Sequence, residues 1–110
     1  MTLYKEEKTA SLIKDIAADF IQRESNKISL ITVTRVVLSN KGKNAQILFT
    51  VYPQNREGEA IEFAARIAGE FREYVKSRAR MRVIPFFRFE IDRGEKNRQR
   101  LDRLGNKSEV

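Results

Sequence analysis

Residues 31–52, ITVTRVVLSNKGKNAQILFTVY, decide the fold of this chain. β-Branched side chains dominate residues 31–39, and strongly apolar side chains occupy every second position of residues 45–52, which is typical of a strand with one apolar face. The polar segment 40–44 between them contains Gly42. Because two strands joined by so short a loop pair with each other, the stretch predicts an antiparallel hairpin.

Helical periodicity flanks the hairpin on both sides. Apolar residues recur every three or four positions in residues 4–24 and again in residues 60–78, so each segment predicts an amphipathic helix with one buried face. Gly69 lies in the middle of the second segment, where glycine costs about 1 kcal/mol relative to alanine. We therefore expect an interruption of the second helix at Gly69, either a bend or a place where another group packs closely.

A third strand follows the second helical segment. The apolar residues of the stretch 87–91 alternate with charged ones, and Pro85 stands just before them, where a strand tolerates a residue without an N–H. The order of helix, two strands, interrupted helix and strand predicts the α+β class, with a three-stranded sheet that carries the helices on one face. We expect a single domain over residues 1–92, and a basic tail over residues 93–110 that is partly helical or disordered.

The composition excludes several kinds of chemistry. The chain has 110 residues, with 22 Lys and Arg against 15 Asp and Glu for a formal net charge of +7, and it contains neither cysteine nor histidine. Disulfides, thiolate zinc sites, cysteine nucleophiles and imidazole general bases are therefore impossible. No apolar run reaches the roughly 18 residues that span a bilayer, and the first residues lack the apolar core of a signal peptide. We expect a cytoplasmic protein with no membrane partner.

The excess of positive charge is concentrated in one segment. Basic residues dominate residues 66–82, and they continue through Arg80 and Arg82, beyond the expected end of the helix, where the helix dipole no longer accounts for them. Arginine suits bidentate contacts with phosphate, so the segment predicts a surface that binds a polyanion. A solvated face of the helix is the alternative. Lys41 and Lys43 at the hairpin tip are a second candidate phosphate contact, or are simply solvated.

Two further features have open interpretations. Phe86 faces away from the core if Phe87 and Phe89 face it, so it either stacks on a nucleobase, packs under the first helix or lines the edge of the sheet. Glu90 and Asp92 share a strand face and could hold a magnesium ion for a nuclease, although such pairs more often serve solubility. Because the sequence has neither a phosphate-binding glycine-rich loop nor a nucleophile elbow, we expect no enzyme activity and no cofactor.

The order and spacing of four stretches resemble the ribosome-binding factor A family. They are residues 33–39 (VTRVVLS), the alternating strand from Ala45, residues 82–89 (RVIPFFRF) and residues 100–104 (RLDRL). The resemblance implies a KH-like (type II) fold, in which an Ala-x-Gly kink between two helices replaces the Gly-x-x-Gly loop of ordinary KH domains. The matching positions are residues 67–69, Ile-Ala-Gly, where isoleucine replaces the first small residue.

The resemblance also implies a function. The family assists maturation of the small (30S) ribosomal subunit, 16S rRNA processing and cold adaptation, so the implied partners are the free small ribosomal subunit and its rRNA. No small-molecule substrate is expected, and the chain is expected to be a monomer. The residues that we expect to bind RNA are Lys41, Lys43, Arg66, Ala68, Gly69, Arg72, Lys76, Arg78, Arg80 and Arg82. The alternative is a basic protein-interaction module that binds an acidic partner without RNA.

Overall fold

A computed structural model describes residues 2–24, 30–95 and 98 of the chain. Its elements follow the predicted order, with one helix before the hairpin and one before the last strand. Their bounds are α1 Thr2–Glu24, β1 Leu30–Ser39, β2 Asn44–Tyr52, a 3₁₀ turn Gln54–Arg56, α2 Glu57–Arg78 and β3 Phe86–Ile91. The predicted α+β class with one three-stranded sheet is confirmed.

The hairpin turn has the geometry that suits two twisted antiparallel strands. Asn40 and Lys41 both have left-handed backbones, with φ of 52° and 55°, and the N–H of Gly42 donates to the carbonyl of Ser39 over 3.1 Å. Turns with positive φ at both central positions match the right-handed twist of the strands that they join. β1 and β2 therefore pair along their length, with one bulge at Thr34.

β2 lies at the centre of the sheet, with β1 on one side and β3 on the other. β3 is parallel to β2, with Phe86 opposite Asn44 and Ile91 opposite Phe49. A parallel pair needs a crossover connection, and α2 with the segment 79–85 supplies it. The start of β3 consequently lies beside the hairpin turn, so two segments that are far apart in sequence meet at one end of the sheet.

Both helices pack on one face of the sheet, as predicted. The buried ring of Phe71 on α2 lies 5.4 Å from the ring of Phe20 on α1, 4.8 Å from Phe87 and 5.4 Å from Phe89 on β3. Ring pairs at these separations add to the free energy gained by burying the rings. The helices are amphipathic, and none that the structure describes has the apolar length needed to cross a bilayer. We call the side of the sheet away from the helices the outer face.

Helix α2 is continuous at Gly69, where the sequence predicts an interruption between two helices. It runs as one α-helix from Glu57 to Arg78, so one long helix replaces the two helices with a kink that the sequence predicted. A Cβ added at Gly69 would meet nothing within 4 Å, so close packing does not explain the glycine either. The buried stripe of α2 continues past this position from Ile67 to Phe71. Its packing outweighs the cost of about 1 kcal/mol for one glycine.

The chain after β3 begins with a helical turn. Residues 93–95 are helical, and the Oδ1 of Asp92 accepts the N–H of Glu95 over 3.0 Å, so this carboxylate caps the turn. Most of the predicted tail lies outside the described residues, and so does the last stretch of the family resemblance. The tail residues outside the description are 96–97 and 99–110.

Candidate nucleic-acid interface

The end of the sheet formed by the hairpin turn and the start of β3 brings together several predicted site residues. The N–H of Phe86 donates to the carbonyl of Lys43 over 2.9 Å, which joins the two segments directly. Lys41 and Lys43 are both exposed at this end. Their ammonium groups are therefore available to an anion that approaches the end of the sheet.

Arg72 connects α2 to the same end of the sheet. Its Nε donates to the carbonyl of Pro85 over 3.3 Å and its Nη2 donates to the carbonyl of Ile84 over 3.2 Å. Its guanidinium carbon lies 4.8 Å from the centre of the Phe86 ring. A planar fork of donors can make both bonds while it stacks on a ring, so arginine suits this position and lysine does not. Arg72 thus holds the path of the chain between α2 and β3.

Three more predicted residues surround one depression just after α2. The backbone becomes extended at Ala79, with φ of −135° and ψ of 140°, which ends the helix. Arg80 and Arg82 are exposed beyond that point and line a depression of about 520 Å³ together with Lys76 and Ile84. The structure therefore brings the end of the basic run to one concave place on the surface.

Six of the ten predicted residues form one continuous surface, which we call the basic end surface. Its members are Lys41, Lys43, Arg72, Lys76, Arg80 and Arg82. The two groups are continuous because Ile84, whose carbonyl binds Arg72, also lines the depression. Lys76 pairs with Glu73 over 3.3 Å, whereas residues 80–88 contain three arginines and the turn 40–44 contains two lysines, with no acidic residue in either stretch. The positive potential that results favours a polyanionic partner.

The other four predicted residues lie elsewhere on α2. Arg78 lies over the ring of Tyr74 at 4.6 Å, and the Tyr74 hydroxyl donates to Asp19 of α1 over 2.7 Å, so Arg78 faces α1. Side chains two positions apart in a helix point in nearly opposite directions, which separates Arg78 from Lys76. The remaining three, exposed or half-buried along the middle of the helix, are Arg66, Ala68 and Gly69.

The two carboxylates at the end of β3 serve separate contacts. Asp92 is buried and accepts a hydrogen bond from the Thr34 hydroxyl over 2.5 Å, whereas Glu90 is bound by the side chains of Gln46 and Arg88. Within the described part of the chain, no cluster of three or more acidic side chains could hold a metal ion. The magnesium interpretation therefore has no support among these residues.

The Asp92 carboxyl has a lowered pKa. Burial raises this pKa, but hydrogen bonds from the Thr34 hydroxyl and from the N–H groups of Glu95 and Gly94 lower it, as does the charge of Arg35, whose Nε lies 3.7 Å away. The net pKa lies below the usual value of 3.8. Sequence analysis missed this contact because Thr34 and Asp92 are 58 positions apart and no local pattern marks the bulge that brings them together.

Comparison with known proteins decides the family. A family model described as ribosome-binding factor A matches residues 5–105. The chain belongs to the ribosome-binding factor A family. The match covers nearly the whole chain, so the resemblance drawn from four short stretches is confirmed.

Individual members of the ribosome-binding factor A family agree with this assignment. One from Thermomicrobium roseum is 29% identical over 107 residues, which cover 94% of this chain and 83% of the relative. The crystal structure of ribosome-binding factor A from Thermus thermophilus matches with a TM-score of 0.72 at 24% identity, over 80% of this chain and 97% of that one. A homology model of the Thermus thermophilus factor, fitted into a cryo-EM map of its 30S complex, matches with a TM-score of 0.66 at 25% identity, over 76% and 91% of the two chains.

Proposed function

We propose that this chain binds the free small ribosomal subunit and its rRNA, and that it assists maturation of the subunit and processing of 16S rRNA. Membership of the ribosome-binding factor A family supports the proposal, and so does the similarity to the Thermus thermophilus factor fitted into a map of a 30S complex. In this proposal the chain acts in the cytoplasm as a monomer, without catalysis and without a small-molecule substrate.

The observation that carries the proposal is the basic end surface. Arg80 and Arg82 lie in the connection between α2 and β3, and Lys41 and Lys43 lie in the hairpin turn, so two connecting segments bring two groups of cations to one end of the sheet. Each contact with a phosphate releases condensed counterions, which drives binding. Such contacts position RNA without reading its sequence, so the shape of the folded rRNA selects the site.

The test removes two charges from the basic end surface and, as a control, two charges from α1. The variant R80Q/R82Q weakens the surface, and the control K8Q/K14Q removes two exposed lysines from another part of the chain. In sedimentation with isolated small subunits, we expect R80Q/R82Q to bind at least about tenfold more weakly and the control to bind as the unmodified chain does. Equal binding by both variants contradicts the site. Failure of the unmodified chain to sediment with small subunits contradicts the function.

Ribonuclease separates RNA binding from binding to an acidic protein. If rRNA provides the surface that the chain contacts, digestion of the rRNA releases the chain from the subunit. An association that survives digestion and is lost in R80Q/R82Q favours the basic protein-interaction module instead.

A further inference from the structure

Phe86 differs from the other phenylalanines of the chain in its exposure to solvent. All seven phenylalanines lie in the described residues, and Phe86 alone is exposed, with 67% of its surface accessible. It is the first residue of β3 and lies on the outer face, opposite Asn44 in the parallel pair. A phenyl ring has no polar atom to hydrogen-bond water, so its exposure costs free energy that burial under a partner would recover.

The exposed ring is held in place from one side. The guanidinium of Arg72 lies over the ring at 4.8 Å, and that guanidinium is itself fixed by the carbonyls of Ile84 and Pro85. The strand fixes the other end of the residue, because the Phe86 N–H donates to the carbonyl of Lys43. The ring is therefore a preorganised flat platform, which reduces the entropy lost when a partner stacks on it.

A polar depression lies beside the platform. It has a volume of about 500 Å³, and Phe86 lines it together with backbone and side chains of the neighbouring strands. The polar residues that line it are Ser39, Asn44, Gln46 and Arg88. Gln46 and Arg88 each bind Glu90 through one group. Their remaining groups, together with the Ser39 hydroxyl and the Asn44 amide, offer hydrogen-bond donors and acceptors that the edge of a planar heterocycle can use.

Two groups of cations stand near the ring. Lys41 and Lys43 stand at the hairpin turn, where the Lys43 carbonyl accepts the Phe86 N–H, and Arg80 and Arg82 stand in the connection that leads from α2 to Phe86. A partner that fits this arrangement must combine a flat apolar face with negative charges next to it. A nucleotide within single-stranded RNA has that combination, whereas an acidic peptide supplies the charges without a planar group on every residue.

We propose that Phe86 is a base-stacking subsite, on which one unpaired base of the rRNA stacks while the flanking phosphates contact the cations of the basic end surface. This inference rests on the proposed function and adds a contact that the cations alone do not provide. Stacking on an aromatic side chain tolerates any base, so the subsite favours unpaired over paired RNA rather than one sequence over another. Loss of such a stack by alanine substitution weakens binding by about 5- to 150-fold.

The first test uses fluorescence, because the chain contains no tryptophan. The variant F86W places a single tryptophan at the subsite, excited at wavelengths longer than those that the tyrosines absorb, and Y52W places one at another exposed aromatic position of the outer face, at the far end of β2. The probe is a mixed-sequence single-stranded RNA of about eight nucleotides, within the usual range of site sizes. We expect the emission of F86W to fall by about half or more on binding, because a stacked base quenches indole, and that of Y52W to change little.

The second test separates stacking from charge. F86A and R80Q/R82Q are compared on the same RNA and on an abasic ribose-phosphate oligomer of equal length. We expect F86A to bind the RNA about tenfold more weakly and the abasic oligomer as the unmodified chain does, whereas R80Q/R82Q loses affinity for both. Thermal unfolding checks that F86A keeps its fold, which its exposure favours.

The outcomes of these tests and of the subunit test are distinguishable. The subsite is overturned if F86A binds the RNA as the unmodified chain does, or if the emission of F86W does not change with RNA. Either result overturns it even if small subunits still sediment with the chain. Loss of subunit binding in F86A without loss of RNA binding identifies Phe86 as a protein contact and also overturns it. Failure of the unmodified chain to bind small subunits overturns the proposed function by a separate measurement.

Discussion

The guanidinium of Arg72 stacks on Phe86 at 4.8 Å while it donates hydrogen bonds to the two carbonyls that precede that residue. This one side chain joins the last turns of α2 to the first residue of β3. Arg80 and Arg82 lie in the connection between these two elements. Arg72 therefore helps to hold these two cations of the basic end surface in place, and it also adds its own positive charge to that surface. Sequence analysis assigned it only a phosphate contact.

The variant Arg72→Lys therefore distinguishes the structural role of the Arg72 side chain from the contribution of its positive charge. Lysine keeps the positive charge but loses the planar pair of donors and the stack on Phe86. We expect the free energy of unfolding in urea to fall by about 1–2 kcal/mol, from two weakened hydrogen bonds, and the affinity for single-stranded RNA to fall as well. If Arg72 contributes charge alone, the lysine variant keeps both quantities, while Arg72→Gln lowers only the affinity.

Gly69→Ala is expected to stabilise the protein. α2 is helical on both sides of Gly69, and an added Cβ meets nothing within 4 Å, so alanine gains its full helix propensity of about 1 kcal/mol. Urea denaturation measures the change. Gly58→Ala, which is equally unobstructed but lies in the first turn of α2, is the matched control and should change the stability less. A loss of stability in Gly69→Ala would show that the helix needs glycine there after all.

The Asp92 carboxylate makes stability depend on acid pH. Its folded pKa lies below the unfolded value near 3.8, so its contribution is complete above about pH 4 and is lost as pH falls through the lower, folded pKa. We expect Asp92→Asn to lower the free energy of unfolding by about 1–3 kcal/mol at pH 7, because a buried charged acceptor of several hydrogen bonds is lost. The difference between the variant and the unmodified chain should shrink below pH 4.

Glu90→Gln is the matched control for Asp92→Asn. Glu90 is half-exposed and pairs with Arg88, and an ion pair of this kind contributes about 0–1 kcal/mol. Its substitution should change the free energy of unfolding at pH 7 less than Asp92→Asn does. A pH-independent difference between Asp92→Asn and the unmodified chain would refute the assignment of the pH effect to Asp92.

Salt should weaken RNA binding steeply. Contacts with several phosphates predict a slope of several units when the logarithm of the affinity is plotted against the logarithm of the salt concentration. Removal of two contacts in R80Q/R82Q should reduce that slope by about 1.4, at 0.7 per phosphate of a single strand. The K8Q/K14Q control should keep the original slope in the same titration, and a slope near zero for the unmodified chain would reject the phosphate contacts altogether.

Arg78→Gln is expected to leave RNA binding within about twofold of the unmodified chain, because the Arg78 side chain is directed toward α1 and a cation that does not contact the RNA contributes little once screened by salt. Arg78 lies over Tyr74 on the side of α2 that faces α1, away from the basic end surface. Affinity for the single-stranded RNA measures the effect. An effect as large as that of Arg82→Gln would mean that RNA also contacts the α1 side of the helix.

The amino-acid sequence alone determined the secondary structure and which stretch of the chain carries most of the excess positive charge. Alternation in residues 45–52, the polar turn after β1 and the three- to four-residue spacing in both helices are local patterns, and a strand or helix turns local spacing directly into one apolar face. The basic run after the middle of α2 and the resemblance to the family also follow from the sequence alone. The same local reasoning predicted two helices around Gly69 where the structure has one, since helix propensity is a weak preference that packing of the buried stripe overrides.

The tertiary structure alone decided which of those residues share a surface. Parallel pairing of β3 with β2 puts Phe86 beside Lys43, the turn of the helix sends Arg78 toward α1, and a bulge in β1 brings Thr34 to Asp92. Each of these contacts joins segments that are distant in the chain or depends on how a helix is rotated against its sheet. The packing of the whole core sets that rotation and pairing, so no short stretch of sequence encodes it.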